Sequence, residues 1–274
     1  VAVTDPNGNR LVVDALSKSF PRPGRGRPSR EVLGGLSFTA QPGEFVSVIG
    51  PSGCGKSTLF NMLAGLETPD AGSVRFGGDT RPVSAHCAYM PQKDLLFPWR
   101  TVLDNTILGL LVHGVPKVEA RRRAVELFDA FGLSGFEDAR PSQLSGGMRQ
   151  RAALLRTVVQ ERELLLLDEP FGALDSLTRT EMQAWLQGVW QRYRWMVLMI
   201  THDIREAVYL SDRVVVLSAR PATVRREVRI DLPRPRTLSM ITAPEFAALE
   251  QELLDVLTEE SRPAPAAPGP VVSS

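Results

Sequence analysis

No stretch of this sequence stays apolar long enough to cross a bilayer. Its longest such runs, residues 164–167 and 195–200, fall far short of the roughly 18 residues a spanning helix needs, so any membrane role is expected to come through a partner. Cysteine is almost absent. Cys54 and Cys87 lie far apart in dissimilar contexts, which argues against a disulfide framework and for a reducing compartment. An excess of either charge is lacking too: 32 Lys and Arg face 31 Asp and Glu, so no global field draws the chain to nucleic acid or anionic lipid. Residues 1–10 (VAVTDPNGNR) have neither a basic start nor an apolar run, and no signal peptide is expected. What is present, 43% hydrophobic and 23% charged residues over 274 positions, suits one large α/β domain or one domain with a small appendage.

The most specific stretch is Gly50-Pro51-Ser52-Gly53-Cys54-Gly55-Lys56-Ser57-Thr58, which fits the G-x-x-x-x-G-K-[ST] spacing of a phosphate-binding P-loop. Residues 44–49 read as a short buried strand before it and 58–66 as a helix after it. The glycines let the backbone curl with its N–H groups inward, and the helix N-terminus adds partial positive charge. Lys56 can then reach the β- and γ-phosphates, and the Ser57 hydroxyl can ligate Mg²⁺. A chance Gly-rich turn would have no reason to carry strand, helix and both reactive residues together. The chain is expected to bind a nucleoside triphosphate. A bulky adduct on Cys54, inside this loop, would meet the phosphates.

Around that loop, strand-like segments at 10–20, 32–39, 72–76, 88–91, 164–167, 195–200 and 213–217 are interleaved with helical ones at 117–131, 149–159, 176–193 and 203–210. The continuous apolar run at 164–167 is what a parallel strand buried on both faces requires, and the alternation argues for an α/β fold with a largely parallel core. In 117–131, Ala124, Val125, Phe128 and Phe131 are expected on one helical face, with Arg121, Arg122 and Arg123 on the solvent side. Residues 21–30 (PRPGRGRPSR) read as a solvated hairpin insert. A terminal strand is expected within 222–232, then a helix opened by the capping-box spacing of Thr242 and Glu245, with a stripe of Phe246, Leu249, Leu253, Val256 and Leu257.

Two further motifs carry chemistry. Residues 164–169 (LLLLDE) form an apolar strand ending in two acids. A carboxylate such as Asp168 at a strand end beside a P-loop can hold Mg²⁺, usually through water. Glu169 can orient and deprotonate an attacking water, which is worth roughly 10²–10⁴ in rate. Residues 144–150 (LSGGMRQ) set Ser145, Gly146 and Gly147 just ahead of an apolar-faced helix. That is a second helix N-terminus suited to an anion, although a lone SGG is more often only a cap.

Taken together, LSGGMRQR upstream of LLLLDEP resembles the signature motif of ABC-type ATPase domains. Gln92 in YMPQ resembles the family's Q-loop, Gly172-Ala173-Leu174-Asp175 its D-loop, and His202 in ITHD its switch histidine. Phe20 stands where the family carries an adenine-stacking aromatic, commonly Tyr; stacking does not need the hydroxyl. The resemblance covers roughly residues 10–220. It implies an α/β P-loop NTPase fold with a RecA-like mixed sheet core, an antiparallel β subdomain and a helical subdomain at about 93–160. Residues 221–260 are then a strand-and-helix extension, and the Pro/Ala-rich tail 261–274 is expected to be disordered. The resemblance also implies ATP and Mg²⁺ as cofactors and a head-to-tail dimer. Each ATP would lie between Lys56, Ser57 and Asp168 of one copy and Ser145 and Gly147 of the other. Glu169 would be the base, Gln92 would join the metal and the attacking water, His202 would contact the γ-phosphate, and Asp175 would sit at the dimer seam.

Three kinds of ABC protein compete: the ATPase subunit of an importer, a subunit of an exporter, and a non-transport protein of DNA repair or translation. Repair relatives insert long coiled coils between P-loop and signature, whereas 93–141 is short. Translation factors carry each motif twice, and here each occurs once. A stand-alone P-loop kinase would have no use for LSGGMRQ. Within importers, KDLLFPWRTVLDN and EPFGALD resemble the nitrate/sulfonate/taurine branch, which includes transporters of pyrimidine precursors of thiamine. The implied partners are a second copy, an integral membrane permease and, indirectly, a periplasmic or extracellular solute-binding protein, with no nucleic acid. The implied location is peripheral, on the cytoplasmic face of the cell membrane. The segment 95–99 would then lie in the groove that receives the permease.

Overall fold

Strand β3 (Phe45–Ile49) runs down the middle of a six-stranded sheet and delivers the P-loop at its C-terminal end. The computed structural model of the chain describes residues 9–22, 24 and 29–258. The expected disorder of 261–274 lies outside them, as do residues 23 and 25–28 of the arginine-rich segment. Chain order begins with the hairpin β1 (Leu11–Phe20) and β2 (Arg30–Ala40), then β3, α1 (Lys56–Leu63), β4 (Ala71–Phe76) and β5 (Cys87–Met90). Four helices follow: α2 (Val102–Thr106), α3 (Leu108–Val112), α4 (Lys117–Phe128) and α5 (Gly146–Val158). The chain then alternates through β6 (Leu164–Asp168), α6 (Ser176–Tyr193), β7 (Met196–Ile200), α7 (Ile204–Leu210), β8 (Arg213–Leu217), β9 (Val224–Arg229) and α8 (Pro244–Thr258).

The main sheet has the order β5-β6-β7-β3-β8-β9, parallel throughout except for the antiparallel edge strand β9. A separate antiparallel sheet has the order β2-β1-β4. The register keeps the strand ends level: Asp168 pairs with Ile200, Ile200 with Val48, and Val48 with Val215. Everything that follows the C-terminal ends of β5, β6, β7, β3 and β8 therefore emerges along one edge, where an open parallel sheet places its ligand site.

Both faces of that sheet are covered, which is why its strands are apolar without alternation. Leu164 and Leu166 face one core, shared with Leu59, Phe60 and Leu63 of α1 and with Leu11, Leu33 and Leu36 of the small sheet. Leu165 and Leu167 face the other, shared with α5 to α8. Each such fully buried leucine is worth about 1.5–3 kcal/mol.

Expected elements and observed ones differ at two points. Ala120, Ala124 and Phe128 form the buried stripe of α4, one residue every helical turn, and Val125 is 47% exposed because it lies off that line. Arg122 and Arg123 lie on the outer side of α4 as expected, in ion pairs with Glu119. Thr242 does not cap α8. It closes a short 3₁₀ turn, its hydroxyl donates to the Ser239 carbonyl at 3.0 Å, and Pro244 opens the helix. The 21–30 segment joins two paired strands, with Phe20 opposite Arg30, as a hairpin connection should.

The stretch after β9 is welded to the core by two arginines. Arg236 is buried, and its guanidinium donates to the carbonyls of Val208 (2.8 Å), Ser211 (2.6 Å) and Ile230 (3.1 Å). Gln187 of α6 closes the clamp, donating to the Arg236 carbonyl at 2.6 Å and accepting its N–H at 2.8 Å. Burial, with the neighbouring Arg234 adding repulsion, pushes the Arg236 guanidinium down to about 10. Arg234 lies 4.2 Å from the Trp190 ring centroid and 2.8 Å from Asp212.

Candidate active site

The P-loop curls because Gly53 (φ +71°) and Gly55 (φ +134°) lie in the left-handed region, where a side chain is strained. At Gly55 there is also no space, since a Cβ would sit 2.7 Å from Leu33 Cδ2 and 2.9 Å from Val32 Cγ1. Helix α1 starts at Lys56 with no side chain capping it, so its first-turn N–H groups remain available to an anion. Lys56 folds back over the loop, donating to the Gly50 carbonyl at 2.8 Å and the Pro51 carbonyl at 3.1 Å, with Cys54 Sγ 3.9 Å away. Its charge is thereby held inside the ring of loop amides.

Strand β6 supplies the two acids in different environments. Asp168, its last residue, is buried and accepts the Tyr89 hydroxyl at 3.2 Å. Burial raises the Asp168 carboxyl above its ordinary value, with the neighbouring Glu169 adding to the rise; the Tyr89 and Ser57 hydroxyls and Lys56 pull the other way. The Tyr89 phenol is raised as well, first by burial and then by Asp168. Glu169 is turned out of the strand. Its backbone is left-handed at φ +46° while its N–H still donates to the Ile200 carbonyl at 2.9 Å. Such a conformation costs about 1–3 kcal/mol in a non-glycine residue and persists only where its surroundings enforce it.

The result is a carboxylate held from two sides. Gln92 Nε2 donates to Glu169 Oε2 at 2.8 Å, and His202 Nδ1 lies 3.5 Å from Oε1. Gln92 follows β5 and His202 follows β7, so three segments remote in sequence converge because β5, β6 and β7 are adjacent. The His202 loop is braced from below. The Thr201 hydroxyl accepts the Asp203 N–H at 3.1 Å and donates to buried Glu206 at 2.7 Å. Burial pushes the Glu206 carboxyl up to about 8.

A cleft of about 440 Å³ opens over Lys56, Ser57 and Thr58, walled by Ser52, Gly53, Gly55, Glu169 and His202. Phe20 lines an adjoining hollow of about 610 Å³ that also includes Thr58. Ser57 and Asp168 are hard oxygen donors of the kind Mg²⁺ takes. Among the described residues no group of three or more His, Cys, Asp or Glu could hold a metal on its own. An ion here would have to share its coordination with the bound phosphates.

The other expected residues are not brought to this cleft. Ser145 and Gly146 are exposed at the start of α5, where Ser145 Oγ accepts the Met148 N–H at 3.2 Å. Gly147 is buried, and a Cβ there would meet Thr178 Cγ2 at 2.9 Å. Asp175 caps α6, accepting the Thr178 N–H at 3.1 Å, and the Thr178 hydroxyl together with that N–H holds its carboxyl below the usual range. Gln150 of α5 donates to the Pro170 carbonyl, beside Glu169. Gln92 lines a separate groove of about 560 Å³ with Asp94, Leu95 and Gln150. In the segment after it, Leu95 and Trp99 are exposed, Phe97 half-buried and Leu96 buried. Buried Asn105 fixes this loop through Phe97 N–H (2.7 Å) and the Thr101 carbonyl (2.9 Å).

Sequence reasoning missed Tyr89, Glu206 and Arg220, which also lines the phosphate cleft. Only Arg220 left a signal: a cation just past the end of a strand that flanks β3.

Residues 33–172 match the family described as "ABC transporter". The chain is 42% identical over 235 residues to a formylaminopyrimidine import ATP-binding protein of Halalkalibacterium halodurans, covering 85% of this chain and 92% of that protein. It is 40% identical over 253 residues to a taurine import ATP-binding protein of Pseudomonas aeruginosa, covering 90% and 95%. It is 46% identical over 227 residues to an aliphatic sulfonates import ATP-binding protein of Ralstonia nicotianae, covering 82% and 76%. Among solved structures it is similar to a bacterial ABC transporter cassette in dimeric form, at TM-score 0.68 and 28% identity, covering 81% of this chain and all of that one. The same cassette in a post-hydrolysis state bound to ADP and Pi gives a TM-score of 0.67.

Proposed function

The chain belongs to the ABC transporter family, and we propose that it is the ATP-hydrolysing subunit of an importer, working as a head-to-tail pair beneath a membrane permease. One observation carries the reading: Glu169, forced out of its strand, stands 2.8 Å from Gln92 and 3.5 Å from His202 at a cleft containing Lys56 and Ser57. That is the arrangement of a base fixed for in-line attack of water on a phosphate held by a P-loop.

The division of labour follows from the environments. Lys56 and the uncapped N–H groups of α1 bind and neutralise phosphate oxygens. Glu169 takes the proton of the attacking water, with Gln92 holding the orientation of its carboxylate. His202, exposed to the cleft, donates toward the terminal phosphate. Ser57, Asp168 and Gln92 are the residues that would hold Mg²⁺, which supplies charge neutralisation at the phosphate oxygens. Asp168 suits this because a cation would favour the ionised form that burial disfavours. Phe20 offers its ring to the adenine base.

Ser145, Gly146, Gly147 and Asp175 line no part of their own chain's cleft, which supports a shared site completed by a second copy. The likeness to a cassette solved as a dimer points the same way. Exposed Leu95 and Trp99, beside the groove at Gln92, suit a permease contact. No helix among the described residues is long and apolar enough to cross a membrane, in keeping with a peripheral subunit on the cytoplasmic face. The relatives' names favour a small solute of the taurine, aliphatic sulfonate or formylaminopyrimidine kind, which a separate solute-binding protein would deliver.

The test is Glu169→Gln, which keeps the shape and the hydrogen bond to Gln92 but removes the base. Hydrolysis should fall by roughly 10²–10⁴ while ATP binding persists, and the ATP-bound variant should accumulate as dimer in size-exclusion chromatography. Retention of wild-type ATPase activity would remove Glu169 as the base and with it this reading of the site.

A further inference from the structure

Two clefts meet at one arginine. Thr58 and Arg220 are the residues common to the phosphate cleft, which holds Lys56, and the adjoining hollow, which holds Phe20. Arg220 lies in the turn from β8 to β9, past the C-terminal end of the strand beside β3. Its guanidinium stands over the P-loop: a Cβ on Gly53 would come within 3.2 Å of Nη2 and 3.8 Å of Cζ. Arg22 and Arg30 line the adjoining hollow with it, and of the three only Arg220 also lines the phosphate cleft. Among the described residues no carboxylate lies within ion-pair distance of Arg220.

We propose that Arg220 is a nucleotide-binding residue that grips the α- and β-phosphates where the triphosphate joins the nucleoside. The assignment rests on the ATPase reading above. A nucleoside triphosphate laid from Lys56 to Phe20 must pass Thr58 and Arg220, because those residues form the shared wall. What passes there is the anionic α- and β-phosphate segment. A planar guanidinium with five donors matches phosphate oxygens closely. The side-chain-free backbone of Gly53 lets the guanidinium approach the loop from outside while Lys56 acts from within. Because the α- and β-phosphates remain after hydrolysis, Arg220 holds ATP and ADP alike. It therefore contributes to affinity rather than to the chemical step.

The experiment compares wild type, Arg220→Gln and Arg220→Lys by isothermal titration with ATP and with ADP, alongside the melting temperature of nucleotide-free protein. Loss of one charge-assisted phosphate contact should weaken both nucleotides by about 10- to 100-fold in the Gln variant. The Lys variant should recover much of the loss, and the melting temperature without nucleotide should not move. Wild-type ADP affinity in Arg220→Gln would overturn the assignment. So would weakened ATP with unchanged ADP, which would place the contact on the γ-phosphate. A fall in nucleotide-free melting temperature that Lys does not rescue would make Arg220 a prop for the loop instead. If wild type bound neither nucleotide, the ATPase reading itself would fail, and the assignment would go with it.

Discussion

Replacing Glu206 with Gln should cost stability near pH 5 and add it near pH 8. Glu206 is 5% exposed, directly beneath the His202 loop. Its Oε2 accepts the Thr201 hydroxyl at 2.7 Å, and Oε1 has no partner. Burial is the largest cause of its rise from 4.5 to about 8, which the Thr201 bond only partly opposes. Between those two values the folded chain keeps a proton that the unfolded chain has lost. Unfolding stability then falls as pH rises, by about 1.4 kcal/mol per pH unit. Over the window from pH 5 to pH 8 this sums to about 4 kcal/mol, an upper value for a buried acid in a relaxing protein. Gln carries no such penalty and still accepts from Thr201. Its amide nitrogen would lie where Oε1 now lacks a partner, at a cost of about 1–3 kcal/mol. The variant should therefore lie about 1–3 kcal/mol below wild type at pH 5 and about 1–3 kcal/mol above it at pH 8. Urea unfolding of both proteins without nucleotide, at intervals from pH 5 to 9, measures the difference directly, and other carboxylates cancel in the subtraction. A difference that stays constant across that range would refute the reasoning, since it would mean that Glu206 does not titrate differently on folding.

Arg236→Met should lower stability by about 3–5 kcal/mol, because it removes the guanidinium donors from carbonyls at the end of α7; thermal melting of the nucleotide-free protein checks this, and an unchanged melting temperature would contradict it. Gly147→Ala should cost about 1–3 kcal/mol through its contact with the Thr178 methyl, and Thr178→Ser, which deletes that methyl, should return about 1 kcal/mol or more in a double-mutant cycle. Additive effects there would show that α5 and α6 do not meet as described.

Much of the site is legible in the sequence. The P-loop, the LLLLDE strand and the SGG start of α5 depend on local chemistry: backbone amides gathered by glycines, a carboxylate at a strand end, a hydroxyl before a helix. These requirements are met within a few residues, so spacing alone displays them. The helix at 176–193 was expected and found with the same bounds because Asp175 caps it and nothing interrupts it. The limits of α4 and the start of α8 were less legible. Val125 and Thr242 satisfy the helical pattern on paper, but packing chose the neighbouring stripe in one case and a 3₁₀ turn with Pro244 in the other.

The chain's sequence by itself determined that a phosphate chain is gripped, that an acid pair stands nearby, and that two anion-suited helix starts exist, since each of these is written in contiguous residues. Only the tertiary structure decided which of these elements share a space. Level parallel strands bring Gln92, Glu169 and His202 together and leave Ser145 outside. The same packing raises Glu206, strains Glu169, and stations Arg220 over the loop. Burial, register and convergence depend on residues far apart in the chain, and no local pattern encodes where such residues meet.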